Sequence, residues 1–510
     1  MPRYAAVDIG SNSVRMLAAE VGTQGEFQIL AADRQVTRLG SSVFQSGRIG
    51  PDAIDFVCEN LVRMAQVYRK LDVSGVRAVA TSAVRDAANQ AEFLDRAARA
   101  LGSPVEIISG QEEARLIHLG VQLRWPRSGS NVLIIDVGGG SAEVIASHEG
   151  RLVEAFSKPL GAVRLTEVFL TSDPPTEAEL HRLDKYIEEK LTAPVRKIGQ
   201  AVFDRVIATS ATAAAIVCAI NRIPRPKRDV ADRLRVGVGA LRHFYNDLRA
   251  RDLAGRRKVL GIGPRRAELI IAGAAVFLRS LEMFKQRSLY YSAAGVRDGI
   301  IADLAARGVG RERAVLSRDQ RRTVEQMARR YGVQLPHARK VADLALRLFD
   351  SLQPLHKLPA EFGKLLEASA YLHDIGHFVS DTSHHKHSYY LVVNSDLPGF
   401  TDLERQLVAL LCRYHRKTMP VPRHAPFQSI DPDSRRAVTL LAPLLRIADS
   451  LDRGHQQGVD DMAVQLKSGN VVVSVKSEAD TDLDIWAAEN TADVFREAYQ
   501  IPMVVAKWKG

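Results

Sequence analysis

The sequence has few cysteines and no long apolar run. Cys58, Cys218 and Cys412 are an odd number and lie far apart in 510 residues, which argues against a disulfide framework and favours a reducing compartment. The longest apolar stretch, Leu269–Leu278, is much shorter than the roughly 20 residues that span a bilayer. The first predicted strand begins at Tyr4, so we expect no signal peptide. These observations predict a cytoplasmic protein with no membrane partner.

Aromatic residues are also scarce, at 6%, whereas charged residues are abundant. The 70 Lys and Arg residues outnumber the 59 Asp and Glu residues, which gives a formal net charge of +11. An excess of positive charge favours an anionic partner but does not name it. Few aromatic residues accompany the basic ones, which argues against single-stranded nucleic acid because its binding depends on base stacking. We therefore expect an anionic partner and no specific nucleic acid.

One short phrase occurs twice in the chain, as Val7–Ser13 (VDIGSNS) and as Ile135–Ser141 (IDVGGGS). Each copy follows an apolar run rich in β-branched residues, which predicts a buried strand that ends in an Asp and a Gly/Ser turn. Glycine leaves backbone N–H groups open in such a turn, and the Ser and Asn side chains add donors, so the turn can hold a phosphate. The Asp at the strand end can hold a cation. Two such turns predict two similar lobes across a cleft.

The pattern of elements changes along the chain. Up to about residue 305, strands alternate with helices, which predicts α/β layers. Helical periodicity then dominates until Val464, where short strands return around one helix. The predicted domains are an α/β lobe at 1–125, a second lobe at 126–305, an all-helical domain at 306–458 and a small α+β tail at 459–510.

The segment Gly110–Leu116 (GQEEARL) follows a predicted strand and opens a helix. Neighbouring helical residues point about 100° apart, so only one of Glu112 and Glu113 can aim at a given point. Glutamates in a first helical turn are also favoured by the helix dipole. Spacing alone leaves both a catalytic and a purely structural role open.

Four motifs in a fixed order resemble the exopolyphosphatase / guanosine pentaphosphatase (Ppx/GppA) family. They are Ala6–Ser13, Ala80–Arg85 (ATSAVR), Ile108–Leu116 and Ile135–Glu143. The resemblance implies the two-lobed actin-like/sugar-kinase-like ATPase fold. It also implies an enzyme that hydrolyses the terminal phosphate of inorganic polyphosphate, or the 5′-γ-phosphate of guanosine pentaphosphate (pppGpp).

The resemblance further implies roles for individual residues. Glu113 would align and deprotonate the attacking water, while Asp8, Asp136 and Glu143 would hold Mg²⁺ or Mn²⁺. Because members of the family commonly dimerise, a homodimer is expected. The phosphate-binding residues implied are Ser11, Asn12, Ser13, Thr81, Ser82, Arg85, Gly138, Gly139, Gly140 and Ser141.

Three alternatives stay open at this point. The segment Thr209–Thr212 (TSAT) lacks the glycines that this family usually has there, which favours polyphosphate over pppGpp. A kinase of the same superfamily would need an acceptor base and an adenosine pocket. A non-catalytic sensor would bind polyphosphate or a nucleotide without turnover.

The predicted helical domain is rich in histidine: nine of the fourteen lie between His337 and His424. The segment Tyr371–His377 (YLHDIGH) resembles the HD phosphohydrolase motif. The resemblance implies a second divalent metal, with His387 and His415 as candidates for a further metal or a phosphate. The alternative is a helical domain that binds no metal and only extends a polyphosphate channel. The superfamily's ligand order, His … His-Asp … Asp, is matched by His337, His373, Asp374 and Asp449.

Overall fold

A computed structural model describes residues 1–22, 27–126, 129–199, 202–307, 315–467 and 469–508. The chain divides into two compact units, residues 1–310 and 311–510. The predicted boundary near residue 306 borders residues 308–314, which lie outside this description. The finer division into four domains stays a prediction. No helix within the described ranges is both long enough and apolar enough to cross a bilayer.

The first lobe is built on a five-stranded sheet with the order β3-β2-β1-β4-β5. Strands β1, β2 and β3 are antiparallel neighbours, whereas β4 and β5 run parallel to β1. Alternate residues of β1 enter cores on opposite faces of the sheet, which explains its continuous apolar run. The strands are β1 (Arg3–Ile9), β2 (Ser13–Val21), β3 (Phe27–Val36), β4 (Gly75–Ala80) and β5 (Val105–Ile107). The helices are α1 (Leu39–Ser46), α2 (Pro51–Arg69), α3 (Ser82–Asp86), α4 (Gln90–Leu101) and α5 (Gly110–Arg124).

The second lobe repeats this topology in a sheet with the order β10-β11-β9-β6-β7-β8. Three antiparallel strands are again followed by strands parallel to the first, and β10 is added at the edge. The strands are β6 (Asn131–Val137), β7 (Ala142–His148), β8 (Arg151–Lys158), β9 (Arg205–Thr209), β10 (Arg235–Gly237) and β11 (Ser288–Tyr291). The helices are α6 (Ala162–Phe169), α7 (Glu177–Ile198), α8 (Ser210–Ile220), a 3₁₀ segment at Arg225–Ala231, α9 (Val238–Arg249), α10 (Leu253–Arg257), α11 (Ile270–Met283) and α12 (Val296–Ala306). The prediction of two similar α/β lobes is confirmed.

Helix α12 connects the two lobes. It follows β11, the strand of the second lobe that corresponds to β5, yet it packs against α5 and β1 of the first lobe. Helix α5 follows β5 in the same way and packs against β7 and β8 of the second lobe. The two matching helices therefore cross each other where the lobes meet, and α5 carries the Glu112–Glu113 pair to this junction.

The second unit is mostly helical and ends in a small sheet, as predicted. The sheet has the order β12-β13-β14, and α21 packs on β14 and on α20. Its inward residues belong to one continuous core with those of the helices. The helices are α13 (Arg318–Arg330), α14 (Leu335–Ser351), α15 (Gln353–His356), α16 (Glu361–Leu372), a 3₁₀ segment at Ile375–Phe378, α17 (His384–Val393), α18 (Asp402–Tyr414), α19 (Ala425–Gln428), α20 (Pro432–Ser450) and α21 (Asp482–Tyr499). The strands are β12 (Asp461–Lys467), β13 (Asn470–Lys476) and β14 (Met503–Lys507).

Candidate active site

The two repeated turns meet in the cleft of the first unit. Each turn is closed by the same backbone hydrogen bond, which runs from Gly10 N to Ser13 O at 3.1 Å and from Gly138 N to Ser141 O at 3.0 Å. A Cβ on Gly139 would lie 2.9 Å from the Cβ of Ser11 across the cleft, closer than real Cβ atoms approach. Glycine at 139 therefore allows the second turn to lie directly against the first.

A cavity of about 110 Å³ lies between the turns. Its lining combines both turns with carboxylates from β1, α5, β6 and α12, and with three arginines. The charged members of the lining are Asp8, Arg15, Glu113, Asp136, Arg228, Arg297 and Asp298. The site therefore offers polar N–H groups, carboxylates and guanidinium groups around a space the size of a few phosphate oxygens.

Asp8 and Asp136 lie near the ends of the central strands of the two lobes. Loss of solvation raises the pKa of the Asp8 carboxyl, although the positive charges of Arg15 and Arg297 oppose this. Loss of solvation also raises the pKa of Asp136, against a hydrogen bond that Thr209 Oγ1 donates to its Oδ2. Both carboxyl groups therefore lie in an environment that disfavours their charged form.

The two neighbouring glutamates at the start of α5 have different surroundings. Ser109 caps the helix by accepting a hydrogen bond from Glu112 N at 3.2 Å. Glu112 turns away from the cleft and accepts from Arg115 Nε at 2.7 Å and from Arg77 Nη1 at 3.1 Å. Glu113 turns into the cleft, where its buried Oε2 has no hydrogen-bond partner in the described structure.

Burial raises the pKa of Glu113 to about 8, which Arg85 opposes and the nearby Asp8 and Asp136 reinforce. Arg85 Nη1 lies 3.7 Å from Glu113 Oε2 and donates to the Ile108 carbonyl at 2.6 Å. A carboxylate whose proton affinity is raised in this way is a stronger general base near neutral pH. The geometry therefore selects Glu113, and not Glu112, as the residue that can act on a molecule in the cleft.

Glu143 lies behind the cavity on β7, opposite Asp136 in the strand register. It is fully buried, and its Oε1 accepts a hydrogen bond from Ser157 Oγ at 2.7 Å. Burial, with added repulsion from Glu113 and Asp136, raises its pKa well above the ordinary value. Its Oε2 is buried and without a hydrogen-bond partner among the described residues.

The carboxylates around the cleft share an environment that disfavours their charge. Asp8, Glu113, Asp136 and Glu143 all have pKa values raised by loss of solvation, and three of them are raised further by neighbouring carboxylates. One cation would compensate the charges and give the unpartnered oxygens of Glu113 and Glu143 a ligand or a bound water. Hard oxygen donors suit Mg²⁺ or Mn²⁺.

A second, larger cavity of about 460 Å³ shares Asn12, Ala211 and Arg228 with the first. Neighbouring arginines carry much of its charge. Loss of solvation, with repulsion from Arg15, Arg266 and other arginines, lowers the pKa of Arg34 to about 9. Five arginines line this cavity, and within the described residues none of their guanidinium groups has an ion pair with a carboxylate. The arginines that line this cavity are Arg34, Arg225, Arg228, Arg265 and Arg266.

A third group of polar side chains lies in the second unit, where the ends of several helices converge. His337 lies in the first turn of α14, His373 and Asp374 follow α16, and Asp449 lies in the last turn of α20. Nε2 of His337 is 3.5 Å from Asp449 Oδ1, and Nε2 of His373 is 3.4 Å from the same oxygen. Both buried Nε2 atoms lack a hydrogen-bond partner in the described structure, which is the state expected of metal ligands. The four residues of the predicted set therefore lie together and fit a metal ion.

The sequence pattern of the Ppx/GppA phosphatase family matches residues 18–307, and the pattern of Ppx/GppA phosphatase domain III matches residues 320–487. The chain belongs to the Ppx/GppA phosphatase family.

Individual Ppx/GppA proteins are similar over most of their length. The guanosine-5′-triphosphate,3′-diphosphate pyrophosphatase of Aeromonas hydrophila is 27% identical over 462 residues, which cover 90% of this chain and 89% of that protein. The crystal structure of the Aquifex aeolicus Ppx/GppA family member is 30% identical, with a TM-score of 0.52 over 60% of this chain and 97% of that one. An exopolyphosphatase-like protein of known structure is 28% identical, with a TM-score of 0.56 over 59% of this chain and 97% of that one.

Membership of the Ppx/GppA family confirms three predictions: the family itself, the actin-like two-lobed fold and an enzyme that hydrolyses phosphoanhydride bonds. The HD resemblance of the helical domain stays a prediction. So do the roles of the individual site residues, although the structure shows where each one lies.

Most of the predicted cleft residues line the smaller cavity of this Ppx/GppA protein. Three lie elsewhere: Glu143 is behind the cavity, Arg85 is beside Glu113, and Ser82 accepts a hydrogen bond from Arg164 Nη2 at 3.2 Å. The residues brought together are Asp8, Ser11, Asn12, Ser13, Thr81, Glu113, Asp136, Gly138, Gly139, Gly140 and Ser141.

Sequence reasoning missed several charged residues. Arg15, Arg34 and Arg297 line the cavities, yet no role was predicted for them. Arg15 follows the first turn by two residues, so it lies near a recognised motif. Arg297 is the second residue of α12. In the helical domain, His377 and His384 were missed, and His377 belongs to the same YLHDIGH phrase as His373.

Proposed function

We propose that this protein is an exopolyphosphatase, which hydrolyses terminal phosphates of inorganic polyphosphate with the help of Mg²⁺ or Mn²⁺. One observation carries the choice of substrate. The phosphate site opens into a cavity lined by five arginines, and the described lining of that cavity contains neither a carboxylate nor an aromatic ring.

The composition of this lining suits a continuing polyphosphate chain. Each internal phosphate carries a negative charge, and guanidinium groups bind such oxygens through charge-assisted hydrogen bonds. A guanine base presents N–H donors, which carboxylates accept, and a flat ring, which aromatic side chains stack on. The part of the lining that the structure describes carries positive charge along its length and contains neither of these partners for a guanine base.

The residues of the cleft support hydrolysis at the end of such a chain. The open N–H groups of the two turns hold the terminal phosphates, and Arg15 and Arg297 offset part of their charge. Glu113 accepts a proton from water as that water attacks the terminal phosphorus and the phosphoanhydride bond breaks. A cation held by Asp8, Asp136 and Glu143, directly or through water, would neutralise charge on the phosphoryl oxygens.

A second candidate substrate is pppGpp. It is favoured by the similarity to the Aeromonas hydrophila guanosine-5′-triphosphate,3′-diphosphate pyrophosphatase. The arginines of the larger cavity would then contact the 3′-diphosphate. This alternative keeps the same chemistry in the cleft and changes only what the larger cavity holds.

A side-by-side assay tests the proposal. Phosphate release from long polyphosphate, tripolyphosphate and pppGpp is measured at equal concentrations of phosphoanhydride ends, with Mg²⁺ and with Mn²⁺. We expect kcat/KM to be at least tenfold higher for long polyphosphate than for pppGpp. The Glu113→Gln variant, measured in parallel, shows that the release comes from the cleft. A higher kcat/KM for pppGpp would overturn the choice of substrate, and no release from any of the three would overturn the enzyme.

A further inference from the structure

The helical domain contains more potential metal ligands than the four that were predicted. A cavity of about 450 Å³ in the second unit is lined by histidines, aspartates and two arginines. The ligand atoms fall into two groups that share Asp374: one contains His337 and His373, the other His377 and His384. His387, a candidate for a further metal or a phosphate, belongs to neither group and is not among the described residues that line the cavity.

Asp374 lies between the two groups. Its Oδ2 is 3.5 Å from His373 Nε2, on the side where Asp449 also lies. Its Oδ1 is 3.6 Å from Nε2 of both His377 and His384. The same Oδ1 is 3.7 Å from His415 Nε2. One carboxylate thus presents a different oxygen to each group.

The spacing of these atoms fits ligands around an ion better than hydrogen bonds. Imidazole-to-carboxylate hydrogen bonds would be about 2.7–3.2 Å long. Ligands held about 2.1 Å from one ion are roughly 3.0–3.4 Å apart in octahedral or tetrahedral sites. The separations between Nε2 atoms and carboxylate oxygens are 3.4 to 3.7 Å, close to the second range.

The orientation of the imidazole rings supports the same conclusion. In every histidine of the two groups, Nδ1 points outward to a protein oxygen and Nε2 points into the cavity, which is how metal-binding histidines are usually held. The Nδ1 contacts are His337 to Asp452 Oδ2 (2.8 Å), His373 to Ala370 O (2.9 Å), His377 to Asp381 Oδ1 (2.6 Å), His384 to Asp381 O (3.3 Å) and His415 to Cys412 O (2.7 Å).

One contact brings two imidazole nitrogen atoms of this cavity together. Nε2 of His384 lies 3.1 Å from Nε2 of His415. A backbone carbonyl only accepts hydrogen bonds, so the Nδ1 atoms of both rings carry the proton. The two Nε2 atoms of the neutral rings then present lone pairs to each other, and these repel. A metal ion bound by both lone pairs removes the repulsion.

We propose that the helical domain binds two divalent transition-metal ions that share Asp374, and that the pair binds a phosphate group. One ion takes His337, His373 and Asp449 as its other ligands, and the second takes His377, His384 and His415. Imidazole with carboxylate suits Mn²⁺, Fe²⁺, Co²⁺ or Zn²⁺ better than Mg²⁺. This site is separate from the cleft and does not rest on the function proposed above.

The arginines of the cavity identify the class of ligand. Arg416 and Arg453 line it, are exposed to solvent, and have no ion pair with a carboxylate in the described part of the chain. Two cations and two guanidinium groups around one open cavity suit an anion with several oxygens and a charge near −2, which a phosphate group provides. A small phosphate-bearing molecule is therefore the expected ligand.

Metal analysis of the full-length protein tests the first part of the proposal. Protein is dialysed against Mn²⁺ or Zn²⁺, freed of excess ion and analysed for metal per chain. We expect Asp374→Asn to hold two ions fewer than wild type. His415→Gln should hold one fewer, because it damages only the second site, and His387→Gln on the same helix as His384 is the control that loses none. Circular dichroism confirms that each variant is folded. Equal metal content in wild type and Asp374→Asn would overturn the proposal, and a difference of one ion would overturn the pair.

Titration with inorganic phosphate tests the second part. Wild type loaded with Mn²⁺ should bind one phosphate in the cleft and one in the helical domain. Asp374→Asn should lose one of these and Asp136→Asn the other, which separates the two sites. Arg416→Gln should weaken the site that Asp374→Asn removes by about tenfold. Unchanged phosphate binding in Asp374→Asn would overturn the ligand.

Discussion

Gly299 of α12 lies directly against the backbone of Leu116 in α5. A Cβ at position 299 would be 1.7 Å from the carbonyl oxygen of Leu116, where no real Cβ fits. One turn further along α5, a Cβ on Gly120 would be 2.4 Å from the carbonyl oxygen of Gly295. The helices that join the two lobes are therefore packed backbone against backbone, and any side chain at 299 must push them apart.

The first prediction concerns this helix crossing. Gly299→Ala should destabilise the unit formed by residues 1–310 by about 3 kcal/mol or more, since the added methyl meets backbone and not a movable side chain. Hydrolysis should also fall, because α5 positions Glu113. Calorimetry and phosphate release measure the two effects. Gly239→Ala is the matched control: Gly239 is exposed in α9 with nothing within 4 Å of an added Cβ. Equal melting temperatures for Gly299→Ala and wild type would show that the crossing tolerates a side chain.

The second prediction concerns the general base. Glu113→Gln keeps the size of the side chain and removes its ability to accept a proton, so phosphate release should fall by roughly 10²–10⁴-fold. Binding of polyphosphate should persist, because the turns that hold the phosphates are unchanged. Phosphate release and equilibrium binding to labelled polyphosphate are measured on the same protein. A rate within a factor of three of wild type would remove Glu113 from the mechanism.

The neighbouring glutamate should behave in the opposite way. Glu112 belongs to a buried ion-pair network in which Arg115 Nη2 donates to Asp303 Oδ1 at 2.8 Å and Arg77 Nη1 donates to Asp303 Oδ2 at 3.0 Å. Removing one charged partner from such a network leaves the others uncompensated and costs about 3–5 kcal/mol. Glu112→Gln and Asp303→Asn should therefore lower the melting temperature of the first unit, whereas Glu113→Gln should not.

The same network makes the first unit sensitive to acid. Burial opposes the charge of Asp303, but Arg115, Arg307 and Arg77 outweigh it and hold its pKa well below the ordinary value. A carboxylate with a lowered pKa stabilises the folded state above its unfolded pKa of about 4, and this stability is lost as the pH falls further. Urea unfolding at pH 3 to 7 should show a loss of stability below about pH 4 that is smaller in Asp303→Asn. If wild type and Asp303→Asn lost the same free energy of unfolding between pH 7 and pH 3, this role of Asp303 would be contradicted.

Much of the cleft could be predicted because its parts are repeated or contiguous in sequence. Asp8 and Asp136 end equivalent strands, so one phrase met twice predicts both the lobes and the position of the two carboxylates. The choice between Glu112 and Glu113 could not be made from spacing, because it depends on Arg77 and Arg115, which pair with Glu112 on the side of α5 that faces away from the cleft.

The missed residues have a different physical cause. Arg34 lies on β3 of the first lobe, and it meets the arginines of the second lobe only because the two lobes fold against each other. In the helical domain, His384 and His387 are three residues apart on one helix, and His384 is buried in the ligand group while His387 is half-exposed outside it. Composition could not show which of the two histidines is a ligand, because that depends on which face of the helix is turned toward Asp374.

The last prediction concerns the arginines of the larger cavity. Arg266 Nη1 donates to Thr212 Oγ1 at 3.1 Å, and its charge is disfavoured: loss of solvation, with Arg15 and Arg228, lowers its pKa to about 10. In the proposed binding mode, a long polyphosphate would extend past the turns to this guanidinium, whereas tripolyphosphate would end in the smaller cavity. Arg266→Gln should therefore raise KM for long polyphosphate by about tenfold, the loss of one charge-assisted contact worth roughly 1.4 kcal/mol. The KM for tripolyphosphate should stay almost unchanged.

The salt dependence of long-chain binding should also become shallower by about one unit of log Kd per log salt, because one phosphate contact is lost. Thermal stability should not fall, since the substitution removes repulsion among neighbouring arginines. Arg242→Gln, an exposed arginine of α9 paired with Glu282, is the control for the change in net charge. If Arg266→Gln weakened long and short chains by the same factor, the larger cavity would not hold the chain, and the polyphosphate track proposed for it would be wrong.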